Sequence, residues 1–363
     1  MQYTVGEIAT AIGLKAVGNT SLIITALAEP GSANDGDLAL AGNPKYAEDL
    51  SKGAARAAFL WDDADWQSMG LEAAILSGRP RFSMSRLTGL MDPGQGYPNG
   101  IHPSAIVDET AEIGDDVSIG PGAVIAAGAR IGAGSVIGPM AYVGWNASLG
   151  ANAYLREHAS IGAYVRIGDR FMAQPGARIG GDGFSYVTPE KSNVESARES
   201  LGGENETEGQ AWARIASLGA VLIGDDVEVG SNATIDSGTI RPTRIGDRTK
   251  IDSLVHIGHN CVLGTDGLIC GMVGLAGSVT IGDFVVLAGK VGVADNLSIG
   301  DRAVCGGASV ILSSVRPGKV MLGYPATEMK SQIDSYKALR RLPRYISDIA
   351  ALKKAVFKSG GSD

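Results

Sequence analysis

Residues 113–144 read IGDDVSIGPGAVIAAGARIGAGSVIGPMAYVG, with Ile or Val at every sixth position. Counted in sixes from residue 101, an apolar residue recurs through fourteen hexads to residue 179. The register resumes at residue 223 and, after a shift, runs from residue 245 to residue 311. A helix would show a period near 3.6 residues, whereas a period of six is typical of the parallel β-helix. We therefore predict a prism of short parallel strands in which three hexads make one coil.

The composition agrees with such a repeat and excludes several classes of protein. Glycine accounts for 52 of 363 residues, which suits a backbone that turns tightly and often. The net charge of −8 argues against a nucleic-acid partner, and no apolar run is long enough to predict a transmembrane helix. The three cysteines, Cys261, Cys270 and Cys305, form neither a disulfide framework nor a zinc spacing. We expect reduced thiols, no metal and a cytoplasmic location.

The repeat divides the chain into three parts. Residues 1–100 mix helical and strand patterns, end in a Pro/Gly-rich linker and predict an α/β domain. Residues 101–318 form the predicted prism, interrupted at 182–217 by a Glu-rich insertion that we expect to be a solvated loop at a corner. Residues 319–363 predict one or two helices, interrupted near Pro343.

The chain has only four histidines, and a histidine is the natural general base near neutral pH. His102 lies in the entry turn and His158 next to a core position, so both are better explained as structural or merely exposed. His256 precedes the inward Ile257 and should face outward. His259 lies two residues after Ile257, near a corner that a neighbouring subunit could reach. The residues alone leave His256 and His259 open as candidates.

Two neighbours bear on the chemistry of His259. Gly277 lies one coil later and should stack about 4.8 Å away, where its amide could stabilise an oxyanion, although a glycine is also common at corners. Cys261 invites a Cys/His nucleophile, but it occupies a small-residue position that points to the core. Direct transfer is therefore favoured over covalent catalysis, and a three-histidine metal site lacks an evident third ligand.

Five short motifs of the sequence together point to one family. They are NPKY at 43–46, GGDGFSY at 180–186, ATID at 233–236, IDSLVHIGHN at 251–260 and GYPA at 323–326. With the hexads, they closely resemble the UDP-3-O-(3-hydroxyacyl)glucosamine N-acyltransferases of lipid A synthesis in Gram-negative bacteria. The resemblance implies a homotrimer of left-handed parallel β-helices in the cytoplasm. It also implies transfer of a 3-hydroxyacyl chain from the phosphopantetheine thioester of acyl carrier protein to the 2-amino group of a UDP-monoacylglucosamine, with no other cofactor.

The resemblance also implies roles for individual residues. His259 would be the catalytic base, Asp252 would support it, and the amide of Gly277 would face the reacting carbonyl. Asn43 and Tyr46 would hold the uracil ring. A side-chain amide can pair with the edge of a pyrimidine and an aromatic ring can stack on its face, although NPKY alone would suggest only a turn.

The resemblance also implies further substrate contacts from Phe184 and Tyr186, at the start of the insertion, and from His256 of the prism. The family often has a second histidine further along the prism, where this chain has Asn296, and the 182–217 insertion is longer than is usual in the family.

We expect the C-terminal segment to form the docking surface for acyl carrier protein. Residues 326–358 contain eight Lys or Arg against three Asp or Glu, so this segment carries +5 in a chain whose total is −8. A basic patch raises the encounter rate with an acidic partner, and Arg340, Arg341 and Arg344 are its centre. The alternative is that the segment packs its apolar face against other chains of the trimer, and both could hold.

Two other functions remain open on the residues. One is a hexapeptide-repeat N-acetyltransferase that uses acetyl-CoA on a nucleotide sugar, and the other is a non-catalytic β-prism scaffold. The sequence does not give the length of the acyl chain. It also leaves open whether Asp252 meets His259 within one chain or across two.

Overall fold

The computed structural model describes residues 2–200, 211–323 and 326–357. The chain divides into two compact units, residues 1–97 and 98–363, and the C-terminal helix belongs to the second. In the described ranges, no helix combines the length and the apolar character that a membrane crossing requires.

The N-terminal unit is a small α/β domain. Its first helix begins at Thr4, whose side chain accepts a hydrogen bond from the Glu7 amide while the Glu7 carboxylate accepts from the Thr4 amide. That helix ends at Gly13, where φ is 71°. The elements are β1 Tyr3–Thr4, α1 Val5–Ile12, β2 Lys15–Gly18, β3 Ile23–Ile24, β4 Ala26–Ala28, β5 Asp37–Leu40, β6 Ala57–Trp61, β7 Ala73–Ser77 and α2 Pro80–Met91, with short 3₁₀ helices at Pro30–Ser32, Pro44–Tyr46 and Glu48–Lys52. Five of these strands form one sheet in the order β2-β7-β6-β5-β4.

The second unit is the predicted prism, built from two-residue strands that recur every six residues. In chain order its elements are β8 Ile106–Val107, β9 Glu112–Ile113, β10 Ser118–Ile119, β11 Val124–Ile125, β12 Arg130–Ile131, β13 Val136–Ile137, β14 Tyr142–Val143, β15 Ser148–Leu149, β16 Tyr154–Leu155, β17 Ser160–Ile161, β18 Arg166–Ile167, β19 Met172–Ala173, β20 Arg178–Asp182, β21 Tyr186–Val187, α3 Asn193–Ser200, β22 Ala213–Arg214, β23 Val221–Ile223, β24 Glu228–Val229, β25 Thr234–Ser237, β26 Thr243–Ile245, β27 Lys250–Ile251, β28 His256–Ile257, β29 Val262–Leu263, β30 Leu268–Ile269, β31 Gly274–Leu275, β32 Thr280–Ile281, β33 Val286–Leu287, β34 Gly292–Val293, β35 Ser298–Ile299, β36 Val304–Cys305, β37 Val310–Ile311, β38 Val320–Met321 and α4 Met329–Phe357.

Every third strand of the prism lies in the same sheet. Within the described residues the three parallel sheets have 10, 10 and 9 strands, and one face runs β20-β25-β28-β31-β34-β37 toward the C-terminal end. In the two-residue strands of these sheets before β38, the second residue points inward and the first outward, so Ile257 is fully buried while His256 is exposed. The core is one continuous column of mostly aliphatic side chains that also contains Phe171 and Cys261, and Cys305 continues it at a hexad position.

Residue 101 marks one departure from the hexad count. Ile101 is 53% exposed and makes only an isolated bridge to Ile119, because no further coil lies beyond it. The buried column begins with the coil after it.

Corners of the prism place non-glycine residues in the left-handed region, as at Asn260 (φ 63°), Ser278 (φ 63°) and Asn296 (φ 59°). These three residues lie on one corner, one coil apart. The corner is held from coil to coil, since the Ser278 amide donates to the His259 carbonyl at 2.8 Å.

A second corner carries a column of aspartates. Each Oδ1 accepts a backbone N–H from the preceding coil: Asp169 from Ala151 at 2.8 Å, Asp225 from Asp169 at 2.8 Å and Asp247 from Asp225 at 2.9 Å. The bond from Asp169 to Asp225 crosses the 182–217 insertion, so the coils on both sides of it are stacked as neighbours.

The described part of the insertion has structure of its own, which differs from the loop expected from composition. Strands β21 and β22 pair in an antiparallel hairpin, helix α3 lies between them, and Asp182 forms an ion pair with Arg214 at the base. Residues 201–210 of the insertion lie outside the described residues.

The C-terminal helix α4 is continuous through Pro343, so the predicted interruption there is wrong. A proline removes only one intrahelical hydrogen bond, which bends a helix more readily than it ends one. Tyr324 and Pro325 of the GYPA word and the basic Lys358 lie outside the described residues.

Candidate active site

His259 lies between two glycines that come from distant parts of the chain. A Cβ added at Gly277 would lie 2.6 Å from His259 Cε1 and 2.7 Å from Nε2. A Cβ added at Gly183 would lie 2.6 Å from the His259 Cβ and 3.0 Å from Cγ. Neither position has room for a side chain, so the imidazole is held by backbone on both sides.

The hydrogen bonds around His259 identify the atom that can act as a base. His259 Nδ1 lies 2.9 Å from Asn260 Oδ1. That oxygen also accepts from the backbone amide of Thr239 at 3.2 Å, while Asn260 Nδ2 donates to the Arg241 carbonyl at 2.9 Å. The backbone partners fix the amide orientation, so Asn260 presents an acceptor and Nδ1 of His259 must carry the proton. Nε2 is then the unprotonated nitrogen and lies beside Gly277.

A half-buried carboxylate shares the groove with this histidine. The Asp236 side chain is 13% exposed, and its Oδ2 lies 3.8 Å from His256 Nε2. His256 is itself oriented by Thr234, whose Oγ1 lies 2.8 Å from Nδ1. Burial raises the pKa of the Asp236 carboxyl; His256 and His259 oppose that shift, and the Asp182 carboxylate adds to it.

The groove extends from these polar groups along one face of the prism. It has a volume of about 520 Å³ and is lined, among others, by Asp236, His259, Gly274, Gly292 and Val310. Outward positions on three successive strands of the face are Gly274, Gly292 and Val310, and an added Cβ at either glycine meets nothing within 4 Å. The groove is therefore polar at one end and an open apolar trough along the rest.

Phe184 joins this groove to a second one. Its ring is 83% exposed and lines both the His259 groove and a neighbouring pocket of about 640 Å³. The Tyr186 ring packs against it with centroids 5.0 Å apart and, with Trp212, lines only the neighbouring pocket. Asn296 lies on the same corner as His259, two coils along, and its Nδ2 donates to Asp295 at 3.1 Å.

Asp252 is not brought to His259 within one chain. It is exposed, its Oδ1 accepts from the Ser253 amide at 2.7 Å, and it lines a separate groove with Lys250 and Cys270. Asp252 and His259 follow successive strands and so lie at successive corners of the triangle. A contact between them across two subunits, the alternative left open by the sequence, stays a prediction.

Cys261 is unsuited to covalent catalysis. Its side chain is fully buried, Sγ lies 3.2 Å from the Ala276 carbonyl, and burial raises the pKa of the thiol to about 11. At neutral pH the thiolate that a nucleophile needs is essentially absent.

The remaining predicted residues lie away from this groove. In the N-terminal unit, Asn43 Oδ1 accepts from the Lys45 amide at 3.1 Å and caps a short 3₁₀ helix, while Tyr46 is 41% exposed with the Lys45 ammonium 4.6 Å from its ring centroid. In the second unit, the side chains of Arg340, Arg341 and Arg344 are exposed along α4.

Three residues that define the site were not singled out from the sequence as catalytic. Asn260 is the last residue of the IDSLVHIGHN motif, Asp236 is the last residue of ATID, and Gly183 lies within GGDGFSY. Each was therefore visible as part of a motif. The contact of Gly183 with His259 joins residues 76 positions apart across the insertion, and no periodicity of the sequence indicates it.

Comparisons with known proteins agree with this architecture. A family model described as bacterial transferase hexapeptide (six repeats) matches residues 110–144. The solved structure of Arabidopsis UDP-N-acetylglucosamine acyltransferase has a TM-score of 0.51 and 24% identity, covering 62% of this chain and 71% of its own, a likeness that concerns the fold alone. The predicted mainly β fold, with a left-handed parallel β-helix, is confirmed.

Curated relatives match over the whole length. A protein of Ruegeria pomeroyi named UDP-3-O-acylglucosamine N-acyltransferase is 60% identical over 363 residues and covers 100% of both chains. One of Paracoccus denitrificans with the same name is 53% identical over 358 residues, covering 99% of this chain and 98% of its own. Identity at this level over complete chains includes both the prism and the N-terminal unit. The chain belongs to the UDP-3-O-acylglucosamine N-acyltransferase family.

Proposed function

We propose that this protein transfers a 3-hydroxyacyl group from the thioester of acyl carrier protein to the 2-amino group of UDP-3-O-(3-hydroxyacyl)glucosamine, as a step of lipid A synthesis. The observation that carries the proposal is the free Nε2 of His259, held by Asn260 and backed by Gly277 at the polar end of an apolar trough. Neither an acetyl-CoA-dependent enzyme nor a scaffold accounts for that combination, since an acetyl group needs no trough and a scaffold needs no base.

The reaction follows from this arrangement. The substrate amine attacks the thioester carbonyl while Nε2 of His259 takes the proton that the nitrogen loses. The carbonyl oxygen becomes an oxyanion, which we expect the Gly277 amide to stabilise. When the tetrahedral intermediate collapses, the C–S bond breaks, and His259 returns its proton to the leaving phosphopantetheine thiolate. The amide product and the free thiol of the carrier balance the step.

The apolar trough suits the donor chain. Its floor at Gly274 and Gly292 is open, and Val310 lies further along the same face. Each methylene removed from water contributes about 0.8 kcal/mol, so a trough of this kind can bind a long acyl chain without polar contacts. Phe184 is exposed and lines the same groove as His259, and we expect its ring to cover a bound chain.

Active sites shared between the subunits of a homotrimer are supported by one corner of the prism. Leu254 and Met272 have φ of 61° and 62°, a conformation that favours Asn or Gly, yet both side chains are apolar and more than half exposed on the isolated chain. Asp252 lies on this corner. Burial of the corner against a second subunit would explain the apolar residues and would bring Asp252 to a neighbouring site.

Mixed trimers test that arrangement. Chains carrying His259→Ala and chains carrying Asp252→Asn, each less active than the parent, should be more active when refolded together than either is alone, because some sites then combine the intact residue of each chain. Light scattering that gives a monomer at the assay concentration, or the absence of complementation, would contradict a shared site.

The N-terminal unit is proposed to hold the nucleotide. The Lys45 ammonium covers one face of the Tyr46 ring, and the exposed ring offers its other face to uracil.

Helix α4 is proposed to bind acyl carrier protein. Arg340 and Arg344 are four residues apart and Arg341 adjoins them, so all three guanidinium groups lie on one side of the helix.

Reduced thiols at Cys261, Cys270 and Cys305 are consistent with the cytoplasm as the site of the reaction.

Turnover by the His259→Ala variant tests the function directly. General base catalysis is worth about 10² to 10⁴-fold, so kcat with a 3-hydroxyacyl carrier protein and UDP-3-O-acylglucosamine should fall by that factor. His158→Asn is the matched control, because His158 is exposed, has a positive φ that Asn tolerates and lies outside the groove. Activity of His259→Ala within about threefold of the parent would remove His259 from the mechanism.

A further inference from the structure

The partner of His259 within one chain is a neutral amide. Asn260 fixes the tautomer and the orientation of the ring, but it supplies no negative charge for the imidazolium that forms when Nε2 takes a proton. Catalytic histidines are commonly stabilised in that state by a carboxylate. The groove contains one carboxylate among its lining residues, Asp236.

We propose that Asp236 is a positioning residue for the acyl transfer, which stabilises the protonated form of His259 from within the same chain and keeps His256 oriented beside it. This inference rests on the proposed function. It adds a carboxylate of the same chain to the support that the family resemblance gives to His259 through Asp252.

The strand register places Asp236 on the reacting side of the prism. Strands β25 and β28 pair with Ile235 opposite Ile257, so Asp236 and Gly258 follow paired residues. Both residues line the groove of His259. The Asp236 side chain is 13% exposed, and a charge so far removed from water acts on its neighbours through a lower dielectric than a surface charge does.

The other charged groups around Asp236 leave the histidines as its partners. On β28, Nε2 of His256 lies 3.8 Å from the Asp236 carboxylate. His259 lies three residues later, in the turn that follows β28. On β20, Asp182 is the nearby carboxylate, and its charge is matched by the ion pair with Arg214. Asp236 therefore faces two imidazoles and one carboxylate that is paired with an arginine.

The test is the pH dependence of Asp236→Asn, which keeps the shape and removes the charge. A carboxylate favours the protonated form of a nearby histidine, so its loss should move the acid limb of kcat/KM to lower pH. We expect kcat to fall by about 10 to 100-fold with KM for both substrates little changed. Asp236→Glu should recover part of the activity and return the acid limb toward the parent. Asp266→Asn is the control, because Asp266 lies outside the groove at a positive φ that Asn tolerates.

A second readout does not depend on turnover. Diethyl pyrocarbonate acylates only neutral imidazole, and its reaction with His259 as a function of pH can be followed at that residue by fragment-ion mass spectrometry. The midpoint for His259 should move to lower pH in Asp236→Asn and not in Asp266→Asn.

An unchanged midpoint and an unchanged acid limb would overturn the role of Asp236, as would a rise in KM with kcat preserved, which would make Asp236 a binding residue. If the parent protein modifies as expected but does not turn over the proposed substrates, the proposed function fails while the electrostatic role of Asp236 stands.

Discussion

Replacing Gly277 with alanine isolates the position of the His259 ring from its chemistry. The added methyl would lie 2.6 Å from Cε1 and 2.7 Å from Nε2, whereas carbon atoms in ordinary contact lie about 3.5 Å apart. The ring must therefore move by about 1 Å. Gly183 blocks the opposite side, so movement comes at the cost of the 2.9 Å hydrogen bond to Asn260. A misplacement of about 1 Å costs about 10²-fold in rate, and we expect kcat of Gly277→Ala to fall by that factor.

The matched control for Gly277→Ala is Gly307→Ala. Each glycine stands two residues after an inward residue, at the first position of a turn, but an added Cβ at Gly307 has the Gly289 carbonyl oxygen 3.5 Å away as its nearest neighbour. Both variants should melt close to the parent, and only Gly277→Ala should lose turnover with the acyl carrier substrate. If Gly277→Ala keeps kcat within about threefold of the parent, the ring is not held as described or is not the base.

Other predictions concern the substrates one at a time. Gly292→Val places a side chain in the open trough and should shift the preferred donor in a competition assay toward shorter acyl chains, whereas an unchanged preference would place the chain elsewhere. Tyr46→Ala should raise KM for the UDP-sugar more than KM for the carrier protein, and equal effects on both would point to misfolding. Changing Arg340, Arg341 and Arg344 to Glu should raise KM for the acyl carrier, more at low salt than at high, with little effect on the UDP-sugar. An unchanged carrier KM would place docking on another surface.

Contacts that repeat along the chain were predictable, because they depend only on spacing. The hexads give the inward residues even where the residue is Cys305, and the one-coil offset of 18 residues gives the approach of Gly277 to His259. Ile101 shows the limit of counting, since it stands in register with the hexads and is still 53% exposed at the start of the prism.

Contacts that cross the insertion or depend on the corner were not predictable from spacing. Asp252 is seven residues from His259 in the chain yet lines a different groove, whereas Asp236, which is 23 residues away, shares the groove of His259. The role of Asn260 depends on the direction of one side-chain amide, which its backbone partners set. Such features arise from three-dimensional packing. A single sequence shows that these residues belong to motifs, but it does not show which of them lie close together.

The hydrogen bond between Asp169 and Asp225 has a consequence for how such an enzyme can change. The chain departs from the prism after β20 and rejoins it at β23, and strands β18 and β23 pair as if the excursion were absent. Its length is thus free to vary: doubling a flexible loop costs only about 0.6 kcal/mol of closure entropy. Since Gly183 and Phe184 lie at the start of the excursion, descendants of one ancestor could acquire different covers for the acyl trough while the spacing of His259 and Gly277 stayed constant. In this fold, the range of substrates can therefore change during evolution without a change in the catalytic geometry.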